Sequence, residues 1–397
     1  MNRPPNPAAQ ARISVIDGAQ SVVVKVGTRV LTTPQGKLDR HRIEVLSTQL
    51  CRIADSGRQV ILVSSGAVGA GVGKLGLDQR PSGLAQLQAI AAIGQTDLIQ
   101  AYESSFAAQG RHAAQVLLTA SDLRRRSGYL HVRNALTQIH GYGSIAIVNE
   151  NDSVAVSELM TTFGDNDRLA AQVAGLLGDA LLIILSDIDG LYDGSPSDAD
   201  SQRLDLVDVI DDSILAMAQD HRAVDSKGGM ASKLDAAQVA TSHGNPTIIA
   251  SGHDDEVLDS IFDKQVVGTL FLATEKSIRG RRRWIGSSAR VEGSLQLDAG
   301  AANAVSKNGS SLLAIGITGV EGSFKHGSVV SIVDGEGNEI ARGLTNYPSS
   351  EVAKILGKPS DQIAGILGHR PYESVVHRDN LALADQRILR QEPGAGE

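Results

Sequence analysis

One lysine stands inside an apolar stretch near the start of the chain. Residues 21–28 read Ser-Val-Val-Val-Lys-Val-Gly-Thr, so Lys25 interrupts a run of β-branched residues that ends in glycine. This density of valine predicts a strand buried on both faces, as in parallel sheets. A buried ammonium group is costly unless it meets an anion, so we expect Lys25 to bind a ligand at the carboxyl end of its strand. A structural ion pair, or a buried stem with a solvated head, is the alternative.

A glycine-rich segment follows the next apolar run, residues 59–63. Residues 64–73 read Ser-Ser-Gly-Ala-Val-Gly-Ala-Gly-Val-Gly, and small residues let backbone N–H groups approach a phosphate or carboxylate. We predict an anion-binding loop here, with a flexible turn as the alternative. Residues 71–76 also match the dinucleotide pattern Gly-x-Gly-x-x-Gly, but the match starts well past the strand. A helical pattern occupies the place of the ribose-binding acid, so this support for a dehydrogenase is weak.

Amides and carboxylates accumulate in two further segments. Asn149-Glu-Asn-Asp152 follows the apolar run 145–148, and Gly164-Asp-Asn-Asp167 precedes a helical pattern over 168–177. Asn and Asp are good helix N-caps, which is the structural explanation, but a cap needs only one such residue. The surplus suits a substrate with an ammonium group or a metal–phosphate complex, and a helix N-terminus also favours an anion.

Two more segments complete the set of candidate site residues. The apolar run 180–185 ends in Ser186-Asp187, which could meet a nucleotide or its Mg²⁺, or could form only turn hydrogen bonds. Residues 227–233, Lys-Gly-Gly-Met-Ala-Ser-Lys, open a helix expected over 231–243. Lysine is unfavourable in the first turn of a helix, so Lys233 makes better sense beside a phosphate, although an exposed lysine is the simpler explanation when it is taken alone. Together these segments describe phosphoryl transfer by positioning and electrostatics, and an ionised carboxylate acceptor needs no general base.

The elements that must position these residues alternate between apolar runs and helical patterns from residue 21 to about residue 274. This alternation predicts an α/β fold with a mostly parallel open sheet sandwiched by helices. Further on, short strands over 293–297, 312–317, 329–333 and 339–343 predict a small, mainly β domain. The expected organisation is a disordered N-terminal extension over 1–18, the α/β domain over 19–274, a basic linker over 275–290, the β domain over 291–376 and a tail over 377–397.

Composition narrows the possible functions. The 397 residues carry a net charge of −8, and aromatic residues make up only 3%. An acidic chain with few aromatic rings argues against nucleic-acid binding, which needs a basic surface and stacking platforms. The single cysteine, Cys51, lies in a helical pattern and is expected in the core. The sequence shows no signal peptide and no apolar stretch of about 18 residues, so we expect a cytoplasmic protein that does not contact a membrane.

Five motifs in chain order resemble those of the amino-acid kinase family. They are Val24-Lys-Val-Gly-Thr28, Ser64-Ser-Gly-Ala67, Val148-Asn-Glu-Asn-Asp152, Gly164-Asp-Asn-Asp167 and Gly228-Gly-Met-Ala-Ser-Lys233. The resemblance covers nearly the whole chain, because residues 291–376 resemble a PUA domain. It implies ATP-dependent phosphorylation of the γ-carboxylate of L-glutamate to L-glutamyl 5-phosphate, the first step of proline biosynthesis. It also implies Mg²⁺ brought mainly by ATP, inhibition by proline, functional coupling to glutamyl-phosphate reductase, and a homodimer or homotetramer.

The resemblance further implies roles for individual residues. Lys25 and Lys233 would contact the ATP phosphates, Asp167 would organise the two lysines, and Gly66 would offer a backbone N–H to the phosphoryl group. The glutamate-binding residues would be Ser65, Asp152 and Asn166. The nucleotide-binding residues would be Lys25, Ser186, Asp187, Lys227, Gly228, Gly229, Met230, Ala231, Ser232 and Lys233.

Two positions depart from the family pattern, and other functions stay open. Ser186 replaces the usual threonine and keeps its hydroxyl, whereas Lys227 replaces the usual glycine or threonine and leaves the geometry of the nucleotide loop open. A related kinase acting on aspartate, acetylglutamate, carbamate or UMP is one alternative. An RNA-binding protein is another, favoured by the PUA resemblance and by the arginines among residues 279–283.

Overall fold

The computed structural model describes residues 6–33, 36–119, 122–123, 126–154, 165–177, 179–196, 198, 200–219, 229–273, 291–308, 310–370 and 372–383. Contacts divide the chain into two compact units, Met1–Arg125 with Ala135–Ile278, and Arg126–Asn134 with Arg279–Glu397. The predicted linker over 275–290 lies outside the described residues, as do Lys227 and Gly228. Within the described ranges, no helix combines the length and the apolar character that a membrane span requires.

An eight-stranded sheet forms the centre of the first unit. Its strands are β1 (Ser21–Val26), β2 (Gln59–Ser64), β3 (Ala113–Leu118), β4 (Ile145–Glu150), β5 (Ala180–Ser186), β6 (Leu206–Val207), β7 (Thr247–Ser251) and β8 (Thr269–Phe271). They lie in the order β3-β4-β2-β1-β5-β7-β8-β6, and each neighbouring pair is parallel except β7 with β8. The predicted α/β fold with a mostly parallel sheet is confirmed.

Helices of the first unit flank this sheet. In chain order, the described helices before residue 263 are α1 (Pro7–Gly18), α2 (Thr28–Leu31), α3 (Arg40–Asp55), α4 (Ala67–Leu75), α5 (Leu84–Ala107), α6 (Arg126–Gly141), α7 (Asp165–Leu177), α8 (Asp212–Gln219), α9 (Met230–Ser242) and α10 (Val257–Phe262). All of them belong to the first unit except α6, whose residues Arg126–Asn134 belong to the second. In α3 the buried residues Ile43, Leu46 and Leu50 recur at helical spacing and form one apolar face. Cys51 is buried beside them, as expected.

The position of β1 explains why its lysine needs a partner from elsewhere. β1 lies between β2 and β5, and all six of its residues are buried. In the sheet register Lys25 stands opposite Val63 on one side and Ile184 on the other. Because both neighbours are apolar, a charged partner for Lys25 has to come from a segment outside the sheet.

Residues 7–18, which we expected to be disordered, form the helix α1. Asn6 accepts a hydrogen bond from the N–H of Ala8, and Pro7 suits the first helical turn. Arg12 is fully buried and donates to the carbonyl oxygens of Val267 at 2.8 Å and Gly268 at 2.7 Å. The helix is therefore anchored by residues far along the chain, and such an anchor leaves no local pattern in the sequence.

Most of the glycine-rich segment is helical rather than a loop. The helix α4 begins immediately after Gly66. A Cβ atom on Gly71 would lie 2.1 Å from the carbonyl oxygen of Ile90, and one on Gly94 would lie 1.9 Å from that of Ala67. The glycines thus allow α4 and α5 to pack backbone against backbone. Since the first glycine of the dinucleotide match is inside a helix and packs on α5, the match does not mark a nucleotide-binding turn.

The second unit contains a five-stranded sheet. Its strands are β9 (Val291–Leu297), β10 (Ile317–Gly322), β11 (Val329–Val333), β12 (Glu339–Thr345) and β13 (Val376–Leu383), in the order β10-β9-β11-β12-β13. The second unit also contains the helices α11 (Ala299–Asn308), α12 (Ser349–Ile355) and α13 (Ile363–Leu367). The strand predicted over 312–317 is wrong, because Ala314–Gly316 forms a 3₁₀ turn and β10 starts only at Ile317. β13 also includes residues 377–383, which we had assigned to the tail.

Candidate active site

The polar segments found in the sequence lie at one edge of the first sheet. The strands β1, β2, β4, β5 and β7 are parallel, so their carboxyl ends share that edge. The residues that directly follow these five strands are Gly27, Ser65, Asn151, Asp187 and Gly252. We call this edge the strand-end rim. Open α/β sheets bind their ligands at such an edge, so the rim is the candidate active site.

Two lysines share one carboxylate at the strand-end rim. The Nζ atom of Lys25 lies 2.5 Å from Oδ1 of Asp167, and the Nζ atom of Lys233 lies 3.9 Å from Oδ2. The hydroxyl of Ser232 donates to the same Oδ2 at 3.0 Å. The side chains of Lys25, Asp167 and Lys233 are only 9%, 1% and 4% exposed. The structure therefore brings together three residues that lie far apart in the sequence.

Two helices bring Asp167 and Lys233 to the rim. We expected Asp167 to precede its helix, but α7 begins at Asp165 and places Asp167 in the first turn. A carboxylate is favourable there, because the N-terminus of a helix carries partial positive charge. Lys233 lies in the first turn of α9, which follows the N-cap residue Gly229. That position is unfavourable for lysine by itself, and Asp167 offsets part of the cost.

The contacts within this cluster shift its pKa values. Burial alone would raise the pKa of Asp167, but the charges of Lys25 and Lys233 and the hydrogen bonds from Lys25 and Ser232 hold it below the ordinary value of 3.8. Burial lowers the pKa of Lys233 despite the opposing effect of Asp167. One ionised carboxylate thus faces two lysines in a buried place, and a bound anion would balance the charge.

Two glycines follow strands that end at the rim, Gly27 directly and Gly66 one residue later. Gly66 joins β2 to α4 with φ at 106°, a left-handed conformation that glycine adopts without strain. The first N–H groups of a helix have no partner within the helix, so the start of α4 offers donors to an anion. A Cβ atom on Gly27 would lie 3.6 Å from the Nζ atom of Lys25, so glycine keeps the backbone beside that lysine open.

A chain of polar side chains runs from Ser65 into the protein. Asn166 donates from Nδ2 to the hydroxyl of Ser65 at 2.9 Å and to Oδ1 of Asn149 at 3.1 Å. Asn149 in turn donates from its own Nδ2 to Oε1 of Gln95 at 2.9 Å. We call these four residues the amide chain. It connects two predicted substrate-binding residues, Ser65 and Asn166, with two residues that the sequence did not single out for this role.

The third predicted glutamate-binding residue lies next to this chain. Asp152 follows β4 and lines a cavity of about 510 Å³. Gln95 and Glu150 line the same cavity, so Gln95 belongs both to the cavity wall and to the amide chain. The carboxylates of Asp152 and Glu150 make this wall acidic, which suits a ligand with an ammonium group.

The predicted nucleotide residues after β5 form a second polar cluster. The hydroxyl of Ser186 donates to Oδ1 of Asp187 at 2.8 Å, and Nη1 of Arg29 donates to Oδ2 at 2.6 Å. Partial burial would raise the pKa of Asp187, but the hydrogen bonds from Arg29 and Ser186 lower it below the ordinary value. Arg29 was missed by sequence reasoning. Its position directly after the Lys-Val-Gly-Thr motif is the one signal that could have identified it.

The remaining predicted residues are only partly described. Gly229, Met230 and Ala231 form the N-cap and the start of α9, next to Ser232 and Lys233. In the described part of the chain, no cluster of three or more His, Cys, Asp or Glu side chains could hold a metal ion.

Comparison with known proteins identifies the family of the chain. Residues 20–251 match the model of the amino acid kinase family, and residues 293–367 match that of the PUA domain. The chain belongs to the amino acid kinase family and carries a PUA domain. Its relatives include the glutamate 5-kinase of Rhodopirellula baltica, which is 64% identical over 372 residues, 94% of this chain and 96% of that protein. The glutamate 5-kinase of Moorella thermoacetica is 45% identical over 364 residues, 91% of this chain and 96% of that protein.

Proposed function

We propose that this chain transfers the γ-phosphoryl group of ATP to the γ-carboxylate of L-glutamate. The product is L-glutamyl 5-phosphate, and the reaction is the first step of proline biosynthesis. The observation that carries the proposal is the pair Lys25 and Lys233 around Asp167 at the strand-end rim. The relatives named glutamate 5-kinase, 41% to 64% identical, support glutamate as the acceptor.

The reaction brings together two anions, the glutamate carboxylate and ATP. In the proposal, the lysines reduce the repulsion between them. The acceptor carboxylate, with an ordinary pKa near ~4.3, is already ionised at neutral pH and needs no base. The barrier therefore comes from charge repulsion and positioning. In the proposed arrangement Lys25 and Lys233 bind the phosphates and stabilise the charge of the transferred group. Asp167 holds both ammonium groups in place, and its lowered pKa keeps it ionised at neutral pH. The backbone N–H of Gly66 adds a donor to the phosphoryl group.

Glutamate binding is assigned to Ser65, Asp152 and Asn166. The carboxylate of Asp152 pairs with the substrate ammonium group, and the hydroxyl of Ser65 and the amide of Asn166 hydrogen-bond to its polar groups. The direct hydrogen bond between Asn166 and Ser65 supports a common ligand. The place of Asp152 in an acidic cavity wall supports recognition of the ammonium group.

The nucleotide is assigned to the other half of the rim, along Ser186, Asp187 and the segment 227–233. Mg²⁺ is ordinarily held by nucleotide phosphates, water and one or two carboxylates. Asp187 is the carboxylate best placed to meet the ion. Bound with ATP, Mg²⁺ would supply further charge neutralisation on the phosphates.

The remaining expectations about partners are also proposals. We propose a dimer or tetramer formed through the kinase domain. Proline is proposed to compete near the glutamate site, and functional coupling to glutamyl-phosphate reductase would protect the reactive product. A cytoplasmic location is proposed because the reaction consumes ATP.

The test is release of ADP measured with a panel of acceptors in the presence of hydroxylamine, which traps acyl phosphates. We expect a hydroxamate with L-glutamate alone. Equal turnover with aspartate or acetylglutamate would instead identify a related kinase. No turnover with any acceptor, together with a salt-sensitive gel shift of structured RNA, would favour the RNA-binding alternative.

A further inference from the structure

The amide chain has one internally consistent set of orientations. Oδ1 of Asn149 accepts two hydrogen bonds, from Nδ2 of Asn166 at 3.1 Å and from the backbone N–H of Glu150 at 2.9 Å. An amide has one acceptor oxygen, so the Nδ2 group of Asn149 must point the other way. There it donates to Oε1 of Gln95 at 2.9 Å. The backbone N–H of Glu150 and the acceptor oxygen of Gln95 therefore hold Asn149 in this orientation together.

The orientation of Asn149 in turn decides which atom Asn166 can offer to a ligand. Nδ2 of Asn166 is occupied by Ser65 and Asn149. Its Oδ1 atom is buried and has no hydrogen-bond partner within the described residues. A buried acceptor without a partner is costly, and a donor from a ligand would satisfy it. If Asn149 rotated, Asn166 would lose the acceptor that keeps its Nδ2 directed inward.

Three of the four residues of the amide chain are buried. Gln95, Asn149 and Asn166 are 8%, 2% and 5% exposed, so water cannot easily replace a lost partner. Gln95 lies on α5, directly after Gly94, where α4 and α5 pack backbone against backbone. The acceptor that orients the chain is thus mounted on a helix held close to the Gly66 turn.

We propose that Gln95 is a positioning residue for glutamate, which acts through Asn149 to present Oδ1 of Asn166 as an acceptor for the substrate ammonium group. The inference rests on the proposed assignment of Ser65 and Asn166 to glutamate binding. Gln95 itself need not touch the substrate. Its contribution is an acceptor that, together with the N–H of Glu150, favours this orientation of the Asn149 amide over the flipped one.

The test is Gln95→Met, which keeps the size of the side chain and removes the acceptor. We expect the KM for glutamate to rise about tenfold, the effect of one neutral hydrogen bond. The KM for ATP and kcat should change by less than about threefold, because the lysine cluster is not altered. If Gln95→Met does not fold, Gln95→Ser is measured in the same way, since serine is too short to reach Asn149.

Gln49→Met is the matched control. Gln49 is a fully buried amide whose Oε1 accepts from the N–H of Leu258 at 2.8 Å and whose Nε2 donates to the carbonyl of Asp255 at 2.8 Å. None of these residues has a proposed role in catalysis. We expect this variant to lower the melting temperature and leave both KM values unchanged.

Asn166→Ala, measured in parallel, separates the inference from the site assignment. If Asn166→Ala raises the KM for glutamate and Gln95→Met does not, the positioning role is wrong and the site stands. If Asn166→Ala leaves that KM unchanged, the glutamate site is wrong and the inference falls with it. A Gln95→Met variant that only loses melting temperature, as the control does, would show a purely structural role. In the double variant Gln95→Met/Asn166→Ala, the rise in the KM for glutamate should be smaller than the product of the two single effects.

Discussion

Two buried cations in the first unit, Arg12 and Lys233, show how differently a fold can treat positive charge. Arg12 donates to the carbonyl oxygens of Asp205, Val267 and Gly268, which are neutral groups. Burial lowers the pKa of Arg12 to about 10, so it stays protonated at neutral pH. Lys233 instead shares a single carboxylate with a second lysine.

The difference separates a structural cation from one prepared for a ligand. The hydrogen-bond acceptors around Arg12 are part of the chain and are present in every folded molecule. Among the described residues, Lys25 and Lys233 flank the one carboxylate of Asp167, and we propose that an incoming phosphate balances the remaining positive charge. We therefore expect substitutions of Arg12 to change folding stability, and substitutions at the rim to change catalysis.

The largest effect is expected for Lys233→Ala. Loss of the ammonium group removes charge stabilisation of the transferred phosphoryl group, and kcat should fall by roughly three orders of magnitude. Folding stability should change little, because a buried ammonium group is costly to the folded state. Turnover assays and urea denaturation measure the two quantities. Lys264→Ala, at a partly exposed lysine paired with Asp17, is the control and should alter neither. A near-normal kcat in Lys233→Ala would refute the catalytic assignment.

Asp167→Asn should reduce kcat by about a hundredfold in turnover assays, since the lysines lose the charge that positions them.

The same variant should also change the pH dependence of folding stability. The folded-state pKa of Asp167 lies below 3.8, so its ionised form stabilises the fold above that pH and this stabilisation is lost as the pH falls through the lowered pKa. The difference in unfolding free energy between wild type and variant should shrink as the pH drops below about 4. A constant difference would contradict the ion pairing.

Arg12→Met should produce the opposite pattern from Lys233→Ala. The three carbonyl oxygens would lose the guanidinium donors in a buried place, although the carbonyl of Asp205 would keep the N–H of Leu270. This loss should cost about 2 to 4 kcal/mol of unfolding free energy. The kcat of the folded fraction should stay within about twofold of wild type. Thermal unfolding and turnover below the transition check this pattern. If Arg12→Met instead lost much of its kcat and kept its stability, the distinction between Arg12 as a structural cation and Lys233 as a catalytic one would be wrong.

The smallest effect is expected for Arg29→Gln. Arg29 is exposed and pairs with Asp187, so its loss should raise the KM for ATP by about two- to fivefold and leave kcat nearly unchanged. Arg40→Gln is the matched control, because Arg40 forms a similar exposed pair with Asp97 at 2.8 Å. Equal KM values for ATP in the two variants would show that Arg29 forms an ordinary surface ion pair and does not support nucleotide binding.

The sequence predicted the strands that carry the site because their signals are local. Runs such as 21–26 and 180–185 are rich in β-branched and aliphatic residues, which identify buried parallel strands without reference to the rest of the chain. The edge strand β3 was missed. Three of its six residues are half-buried, two are exposed, and the strand includes Ala and Gln, so that no strong pattern distinguishes it from a loop.

The helix α4 and the residue Gln95 show a different reason for failure. Glycine has a poor intrinsic helix propensity, so residues 67–75 look like a loop until their contact with α5 is known. Gln95 lies 54 residues from Asn149 along the chain, and no spacing rule connects them. Its role follows only from a hydrogen bond made after the sheet and α5 have assembled.

The sequence by itself determined the order of strands and helices and the chemistry available at the end of each strand. The tertiary structure decided which of those ends meet. β1 and β5 become neighbours although β2, β3 and β4 separate them in sequence, and α7 and α9 bring Asp167 and Lys233 to Lys25. The physical reason is that backbone pattern and side-chain type are local properties, whereas the balance of buried charge depends on groups that become neighbours only in the folded chain.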